Sequence, residues 1–174
     1  MTRKELAKAI YRTSHLTGEF KLRSGAISNE YFDKYLFEAN PELLLEICKH
    51  LLEILPKDFE VLAGLEMGGI PIAAILSQLT GKPVCFVRKK AKEYGTCNLA
   101  EGADIFNKKL LVVEDVITSG GQVVVSSQEL RDKGAIVSNA ICVIDRESGG
   151  KDNLKAIGID LFPLFTMSEI KGYL

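Results

Sequence analysis

The sequence lacks the features that would direct a chain to a membrane, to nucleic acid or to secretion. No uninterrupted apolar run reaches the roughly 18 residues that can cross a bilayer. Residues 1–11 are charged and polar, unlike a secretory signal. The net charge of −1 gives no bulk basic field that would attract nucleic acid or an anionic membrane. We therefore expect no nucleic-acid partner and no membrane partner.

Cysteine is scarce, and its spacing does not indicate a metal site. The four cysteines are Cys48, Cys85, Cys97 and Cys142. None forms a CxxC pair, and only two histidines could join them, so a zinc site is not expected. Three lie in apolar stretches and are expected to pack as small hydrophobic side chains, whereas Cys97 lies in a polar stretch and is a candidate exposed thiol. A reducing cytoplasm fits this usage best.

The remaining pattern indicates one domain over residues 1–174 with alternating strands and helices. Apolar runs predict strands at residues 61–65, 83–87, 109–113, 136–144 and 159–164, with a weaker one at 31–37. Helices are predicted after Thr2, after Asn40, over 70–79, over 120–133 and after Thr166, each with a capping or stop signal. Residues 14–38 are otherwise expected to be irregular, and residues 88–107 are polar without an apolar period. The alternation predicts an α/β fold with a parallel central sheet flanked by helices.

Two acids and a glycine turn follow the third long strand, in the sequence VVEDVITSGG. Glu114 and Asp115 fall at the carboxyl end of the predicted strand, where parallel sheets bind ligands. The Thr118–Gly121 turn then leads into a helix, whose free amides and dipole favour an anion such as a phosphate monoester. Carboxylates beside such a site are useful if they accept hydrogen bonds from sugar hydroxyls or hold Mg²⁺.

Neither standard nucleotide-binding loop is present. No lysine follows the glycines as in a Walker loop, and no GxGxxG follows a strand. A plain helix cap beside a solvated strand end would explain the turn alone. A sugar phosphate with vicinal hydroxyls explains the turn and the acids together.

The VVEDVITSGG segment resembles the signature of type I phosphoribosyltransferases, which bind phosphoribosyl pyrophosphate (PRPP). The resemblance implies that Glu114 and Asp115 hold the ribose hydroxyls. It implies that Thr118, Ser119, Gly120 and Gly121, with Val116 and Ile117 leading into them, form the 5′-phosphate loop. It also gives Asp115 a catalytic role.

Two further segments match positions of the same family. Glu66, Met67, Gly68 and Gly69 form a second glycine turn after a strand, where the family has its pyrophosphate loop; an ordinary strand-to-helix turn is the alternative. The segment RKKAKEYGTCNLAEG resembles the catalytic loop of orotate phosphoribosyltransferases. The resemblance implies PRPP contacts for Arg88, Lys89, Lys92 and Tyr94, with Lys92 catalytic and reaching the neighbouring subunit of a homodimer. Tyr94 stands where bacterial members often have histidine, so only phosphate hydrogen bonding is assigned to it.

The base site is implied by the segment GEFKLRSGAISNEYFDKY, which resembles the family's N-terminal hood, here residues 1–38. Ala26 replaces a basic residue that is often found after the Ser-Gly pair, and Arg23 or Lys34 could supply that charge. Arg146 follows a later strand at the position where family members bind the orotate carboxylate, which a guanidinium can hold bidentately. Orotate contacts are thus implied for Thr118, Arg146 and Arg23. A surface salt bridge is the alternative role of Arg146.

The implied reaction transfers the 5-phosphoribosyl group from PRPP to orotate, giving orotidine 5′-monophosphate and pyrophosphate. The implied cofactor is Mg²⁺, held mainly by PRPP, with Asp115 the candidate protein ligand. Three alternatives remain open: a phosphoribosyltransferase for a purine or uracil, a non-catalytic PRPP-binding regulator on the same fold, and an unrelated α/β nucleotide binder. The hood and Arg146 favour orotate, because a neutral base needs no partner for a carboxylate.

Overall fold

The computed structural model describes residues 1–21, 25–90 and 99–174. Within those ranges the helices are α1 (Arg3–Ser14), α2 (Lys34–Glu38), α3 (Pro41–Leu52), α4 (Gly69–Thr80), α5 (Gly121–Asp132), α6 (Gly150–Ala156) and α7 (Met167–Gly172). The strands are β1 (His15–Lys21), β2 (Ile27–Phe32), β3 (Val61–Leu65), β4 (Val84–Val87), β5 (Ala100–Gly102), β6 (Lys109–Ile117), β7 (Ile136–Asp145) and β8 (Asp160–Thr166).

The central sheet confirms the predicted α/β class. Its six strands lie in the order β5-β4-β3-β6-β7-β8, and every pairing is parallel except that of β5 with β4. A separate antiparallel hairpin of β1 and β2 lies within residues 1–38, the segment predicted as the hood. No described helix is both long and apolar enough to cross a membrane.

The long helices begin and end where capping residues predict. Thr2 and Glu5 form a capping box at α1, and Asn40 accepts from Leu43 N at the start of α3, with Pro41 in the first turn. Gly81 ends α4 in the left-handed conformation, at φ 69°. Local sequence therefore set these boundaries.

Strand β6 separates two hydrophobic clusters, one on each face of the sheet. Leu111 and Val113 pack into the cluster with α1, α3, α4 and α7, whereas Leu110 and Val112 pack into the cluster with α5 and α6. This alternation follows from the two-residue period of a strand. The next two residues, Glu114 and Asp115, consequently face opposite sides of the sheet.

Five local predictions were wrong or incomplete. The described residues between 14 and 38 are largely regular. The strand expected at 31–37 ends at Phe32, because Asp33 accepts from Tyr35 N and caps α2. The polar segment 88–107 contains the short strand β5, and α6 had no prediction. The strand expected to stop at Val113 continues to Ile117, since its backbone stays paired with β7 as far as the Ile117–Asp145 position. The two acids therefore lie within β6 and not beyond its end.

Candidate active site

The cavity beside Glu114 combines a carboxyl group with the start of a helix. It is lined by Glu114, by residues 116–123 and by Val125, and has a volume of about 350 Å³. Gly120 has φ 74°, a left-handed conformation suited to glycine, and the helix α5 begins at Gly121. The structure thus brings the predicted phosphate turn and the first predicted acid into one cavity.

Helix α6 supports this turn from behind. Asn153 Nδ2 donates to the carbonyl oxygen of Ser119 over 2.9 Å. A Cβ atom on Gly150 would lie 2.5 Å from the carbonyl oxygen of Thr118, so glycine is needed for this close approach. Sequence reasoning missed α6, although the Gly149-Gly150 pair was a signal for a tight turn into a helix.

Asp115 points away from that cavity and is fully buried. Its Oδ2 atom lies 2.6 Å from Nζ of Lys34 on α2. A Cβ atom on Gly68 would lie 1.6 Å from the same oxygen and 2.9 Å from Oε1 of Glu38. The second predicted glycine turn therefore packs directly on the second predicted acid, and Gly68 tolerates no side chain there.

The electrostatics of the two acids differ. Burial and the charge of Asp115 raise the pKa of Glu114 well above its ordinary value. Burial alone would raise the pKa of Asp115, but hydrogen bonds with Glu38 and Glu114 and the pairing with Lys34 lower it. Asp115 is thus the acid of this pair that ionises more readily, and Glu114 is the acid that holds its proton more tightly.

Lys34 and Glu38 were not predicted at this position. Lys34 was considered only as a source of charge for the hood, and Glu38 was not considered. Both lie on α2, four residues apart, so they share one face of that helix. Asp33 as a helix cap, followed by Lys34 and Glu38 at i, i+4 spacing, was the sequence signal for a short polar helix. The sequence alone does not show that the face of α2 that carries both residues contacts Asp115.

The glycine turn at Glu66–Gly69 also meets the start of the predicted basic loop. The Glu66–Met67 peptide bond is cis. The backbone N–H of Lys89 donates to Oε2 of Glu66 over 3.0 Å. Glu66 and Met67 of the turn, together with Arg88, line part of a cavity of about 330 Å³. Lys92, Tyr94 and Cys97 lie outside the described residues.

Arg146 lies at the end of β7, facing the hood. A cavity of about 220 Å³ is lined by Tyr11, His15, Ser28, Glu30, Tyr31, Phe32, Arg146 and Met167. The two stretches predicted to bind the base, the hood and Arg146, are therefore brought together. Arg23 lies outside the described residues.

Comparison with known proteins first defines the class. Residues 37–161 match the phosphoribosyl transferase domain model, which begins near α2 and includes both glycine turns, the acids and Arg146.

Individual relatives then define the family. The chain is 48% identical to the orotate phosphoribosyltransferase of a Nocardioides species over 95% of this chain and 92% of that protein. It is 39% identical to the orotate phosphoribosyltransferase of Methanocella arvoryzae, covering 97% of each. The chain belongs to the orotate phosphoribosyltransferase family.

Solved structures agree with this assignment. The orotate phosphoribosyltransferase of Mycobacterium tuberculosis in complex with inorganic phosphate is similar with a TM-score of 0.86, at 26% identity, over 97% of this chain and 98% of that one. The same enzyme in complex with PRPP is similar with a TM-score of 0.83, at 25% identity and the same coverage.

Proposed function

We propose that PRPP binds across the two glycine turns and that orotate binds between the hood and Arg146. The chain is an enzyme of its family and transfers the 5-phosphoribosyl group of PRPP to orotate, a step of pyrimidine biosynthesis. The observation that carries the residue assignment is the cavity where Glu114 meets the Thr118–Gly121 turn. In this cavity the Glu114 carboxyl group can bind sugar hydroxyls, and the turn can bind a phosphate.

The 5′-phosphate is assigned to the turn before α5. Backbone N–H groups in the first turn of a helix lack intrahelical acceptors, and the helix dipole adds partial positive charge. Thr118 and Ser119 add hydroxyl donors, and Val116 and Ile117 lead the chain into the turn. Gly120 and Gly121 leave the amides uncovered.

The ribose hydroxyls are assigned to Glu114 and Asp115. Glu114 lines the cavity directly. Asp115 is turned towards α2 and Gly68, so we assign it to the side of the sugar nearest the second glycine turn. A hydroxyl that reaches it takes the place of part of its contact with Lys34.

The pyrophosphate is assigned to Glu66, Met67, Gly68 and Gly69, together with the basic segment that follows β4. Arg88 and Lys89 stand at the start of that segment, next to the turn. Lys92 and Tyr94, which lie outside the described residues, complete the assignment on the family resemblance. Positive charge there stabilises the negative charge that grows on the leaving pyrophosphate.

The base is assigned to the cavity between the hood and Arg146. Thr118, and Arg23 of the hood as a second cation, are assigned to the base on the family resemblance. Arg146 is exposed, and its guanidinium can bind the carboxylate of orotate bidentately. Adenine, hypoxanthine and uracil carry no carboxylate, so this contact distinguishes orotate from them.

Magnesium fits this site as a companion of PRPP. No cluster of three or more candidate ligands occurs among the described residues, and Asp115 is already paired with Lys34. We propose that the phosphate and ribose oxygens of PRPP hold most of the ion, with the acids of β6 next to it. When bound, Mg²⁺ supplies positive charge at the leaving group.

Catalysis follows from positioning and electrostatics. The bond from ribose C1 to pyrophosphate breaks, the ring nitrogen of orotate forms the new bond to C1, and the proton of that nitrogen passes to the departing pyrophosphate or to solvent. Closure of the basic segment over the site would exclude the water that otherwise hydrolyses PRPP.

We further propose a single domain of residues 1–174, with residues 1–38 as the base-binding hood, that works in the cytoplasm as a homodimer with shared active sites. Support comes from the family resemblance of the basic segment, in which Lys92 serves the neighbouring subunit. No nucleic acid and no membrane is part of the proposal.

Turnover with each base in turn tests the proposed substrate. Purified chain, PRPP and Mg²⁺ are combined with orotate, uracil, adenine or hypoxanthine, and PRPP consumption is followed. We expect PRPP to be consumed with orotate and with none of the other three bases. Turnover with a purine and none with orotate would reassign the base site, and binding of PRPP without turnover of any base would favour a regulator.

A further inference from the structure

Glu147, the residue that follows Arg146, has a backbone conformation that glutamate seldom adopts. Its φ angle is 55°, in the left-handed region that favours glycine. Asp145 stabilises this turn, because its Oδ1 atom accepts from the backbone N–H of Glu147 over 2.9 Å. The Ser148 hydroxyl donates to the carbonyl oxygen of Arg146 over 3.3 Å. Neighbouring side chains therefore hold the backbone around Arg146 in a conformation that needs such support.

The side chain of Glu147 reaches from this turn to the start of α7. Its Oε2 atom accepts from the backbone N–H of Ser168 over 2.8 Å. Ser168 lies in the first turn of α7, where backbone N–H groups lack intrahelical acceptors and a carboxylate is favoured. Hydrogen bonds from the Ser168 hydroxyl and N–H hold the pKa of Glu147 below its ordinary value. The accepting group is therefore charged at neutral pH.

This hydrogen bond connects two walls of the cavity that is assigned to the base. Arg146 and Met167 both line that cavity. Glu147 follows Arg146 in the chain and Ser168 follows Met167, so the bond joins the residues directly after the two wall residues. Glu147 itself is not among the described residues that line the cavity.

We propose that Glu147 is a positioning residue for orotate recognition: by bridging from the left-handed turn to Ser168, it holds Arg146 in place relative to Met167 across the base cavity. The inference rests on the proposed function, because it assigns a task to a residue that acts on the base only through Arg146. Glu147 is not placed against the substrate.

Arg146 needs this support because its side chain is long and exposed. A guanidinium on a mobile backbone loses more conformational freedom when it binds, which weakens a bidentate contact. A displaced carboxylate also displaces the orotate ring nitrogen, and reacting atoms must be held within a fraction of an ångström. A turn that is ordered before orotate binds reduces both effects.

A matched pair of variants tests the bridge. Glu147→Gln removes the charge and keeps a side-chain oxygen that can accept from Ser168, whereas Glu147→Met keeps the length and removes the acceptor. We expect the KM for orotate to stay within about twofold of wild type in Glu147→Gln and to rise about three- to tenfold in Glu147→Met, the range expected for loss of one hydrogen bond. The KM for PRPP should stay close to wild type in both. Glu42→Met, an exposed change on α3, is the control.

A double-mutant cycle with Arg146→Met separates positioning from a general structural effect. If Glu147 acts through Arg146, then Glu147→Met raises the KM for orotate little further in the Arg146→Met background. Full additivity, or equal values for Glu147→Gln and Glu147→Met, would overturn the proposal. A wild-type KM for orotate in Glu147→Met, or an equal rise in the KM for PRPP, would overturn it as well.

Calorimetric titration with orotidine 5′-monophosphate measures binding of the base without turnover. If wild type binds this nucleotide but does not form it from orotate and PRPP, the proposed function alone fails, and the affinities of the variants still decide the role of Glu147. If wild type does not bind it, the proposed base site and the positioning role are both overturned.

Glu147→Gly replaces Glu147→Met if circular dichroism shows that the latter does not fold. Glycine adopts a left-handed φ without a steric clash, so this variant removes the acceptor and leaves the turn accessible. It should also weaken binding of orotidine 5′-monophosphate about three- to tenfold. Unchanged affinity in Glu147→Gly would contradict the positioning role.

Discussion

The backbone N–H of Arg146 donates to the carbonyl oxygen of Ile117 over 2.8 Å. This hydrogen bond ties the end of β7 to the end of β6. The residue proposed to bind the orotate carboxylate is thereby held one residue away from the start of the proposed phosphate turn. Base and ribose phosphate must meet at such a distance if the base is to attack ribose C1.

Arg146→Met should act on the base and not on PRPP. We expect the KM for orotate to rise about 10- to 100-fold, because a charge-assisted contact to the carboxylate is lost, while PRPP binding stays close to wild type. Steady-state kinetics with each substrate varied in turn measure this. Arg12→Met, an exposed change on α1, is the control. An unchanged KM for orotate would leave Arg146 as a surface residue.

Gly68→Ala should abolish most activity through one contact. The added Cβ would lie 1.6 Å from Asp115 Oδ2, so the acid or the turn must move. The backbone of Gly68 has an ordinary φ of −68°, so the effect is steric and not conformational. Gly172→Ala has no neighbour within 4 Å and should be neutral. The kcat/KM for PRPP should be much lower for Gly68→Ala than for Gly172→Ala. Equal values for the two variants would contradict the close packing of Gly68 on Asp115.

The pH dependence of stability should report the proton on Glu38. Its pKa of about 9 lies above the ordinary 4.5, so between these values the folded chain keeps a proton that the unfolded chain has lost. The free energy of unfolding contributed by this group therefore decreases as pH rises from about 4.5 to about 9.

Glu38→Gln removes this titration and should flatten the slope. Urea unfolding at several pH values across that range measures it, with exposed Glu42→Gln as the matched control. Identical slopes for wild type and Glu38→Gln would mean that Glu38 is ionised in the folded chain.

Lys92→Ala should lower turnover far more than PRPP affinity, because we assign Lys92 to the departing pyrophosphate. We expect Asp115→Asn to be inactive for another reason. Mixed with it, Lys92→Ala should restore part of the activity if each active site draws on two subunits. The mixture is assayed after subunit exchange has been verified with tagged chains. Absence of rescue after verified exchange counts against a shared site.

The sequence predicted elements well where local chemistry determines them, and poorly where distant contacts do. Capping residues located α1 and α3, and the glycine turns located the two loops. The opposed directions of Glu114 and Asp115 also follow from strand periodicity once β6 is extended. The extension itself depends on pairing with β7, which the local sequence does not encode.

The contacts of Asp115 illustrate the part that stayed hidden. Lys34 lies 81 positions before Asp115, and only the tertiary packing of α2 against β6 brings the two together. Helix α6 was missed for a related reason, since its seven residues are stabilised mainly by contact with the turn before α5 and with β8.

Loss of orotate absorbance is the most direct test of the central claim. Purified chain is mixed with orotate, PRPP and Mg²⁺, and the same mixture is run without PRPP and with Asp115→Asn in place of wild type. The account predicts a PRPP-dependent decrease in orotate absorbance, formation of orotidine 5′-monophosphate and pyrophosphate, and a rate at least about tenfold lower for the variant. The account would be contradicted if a folded chain consumed PRPP with another base and did not convert orotate.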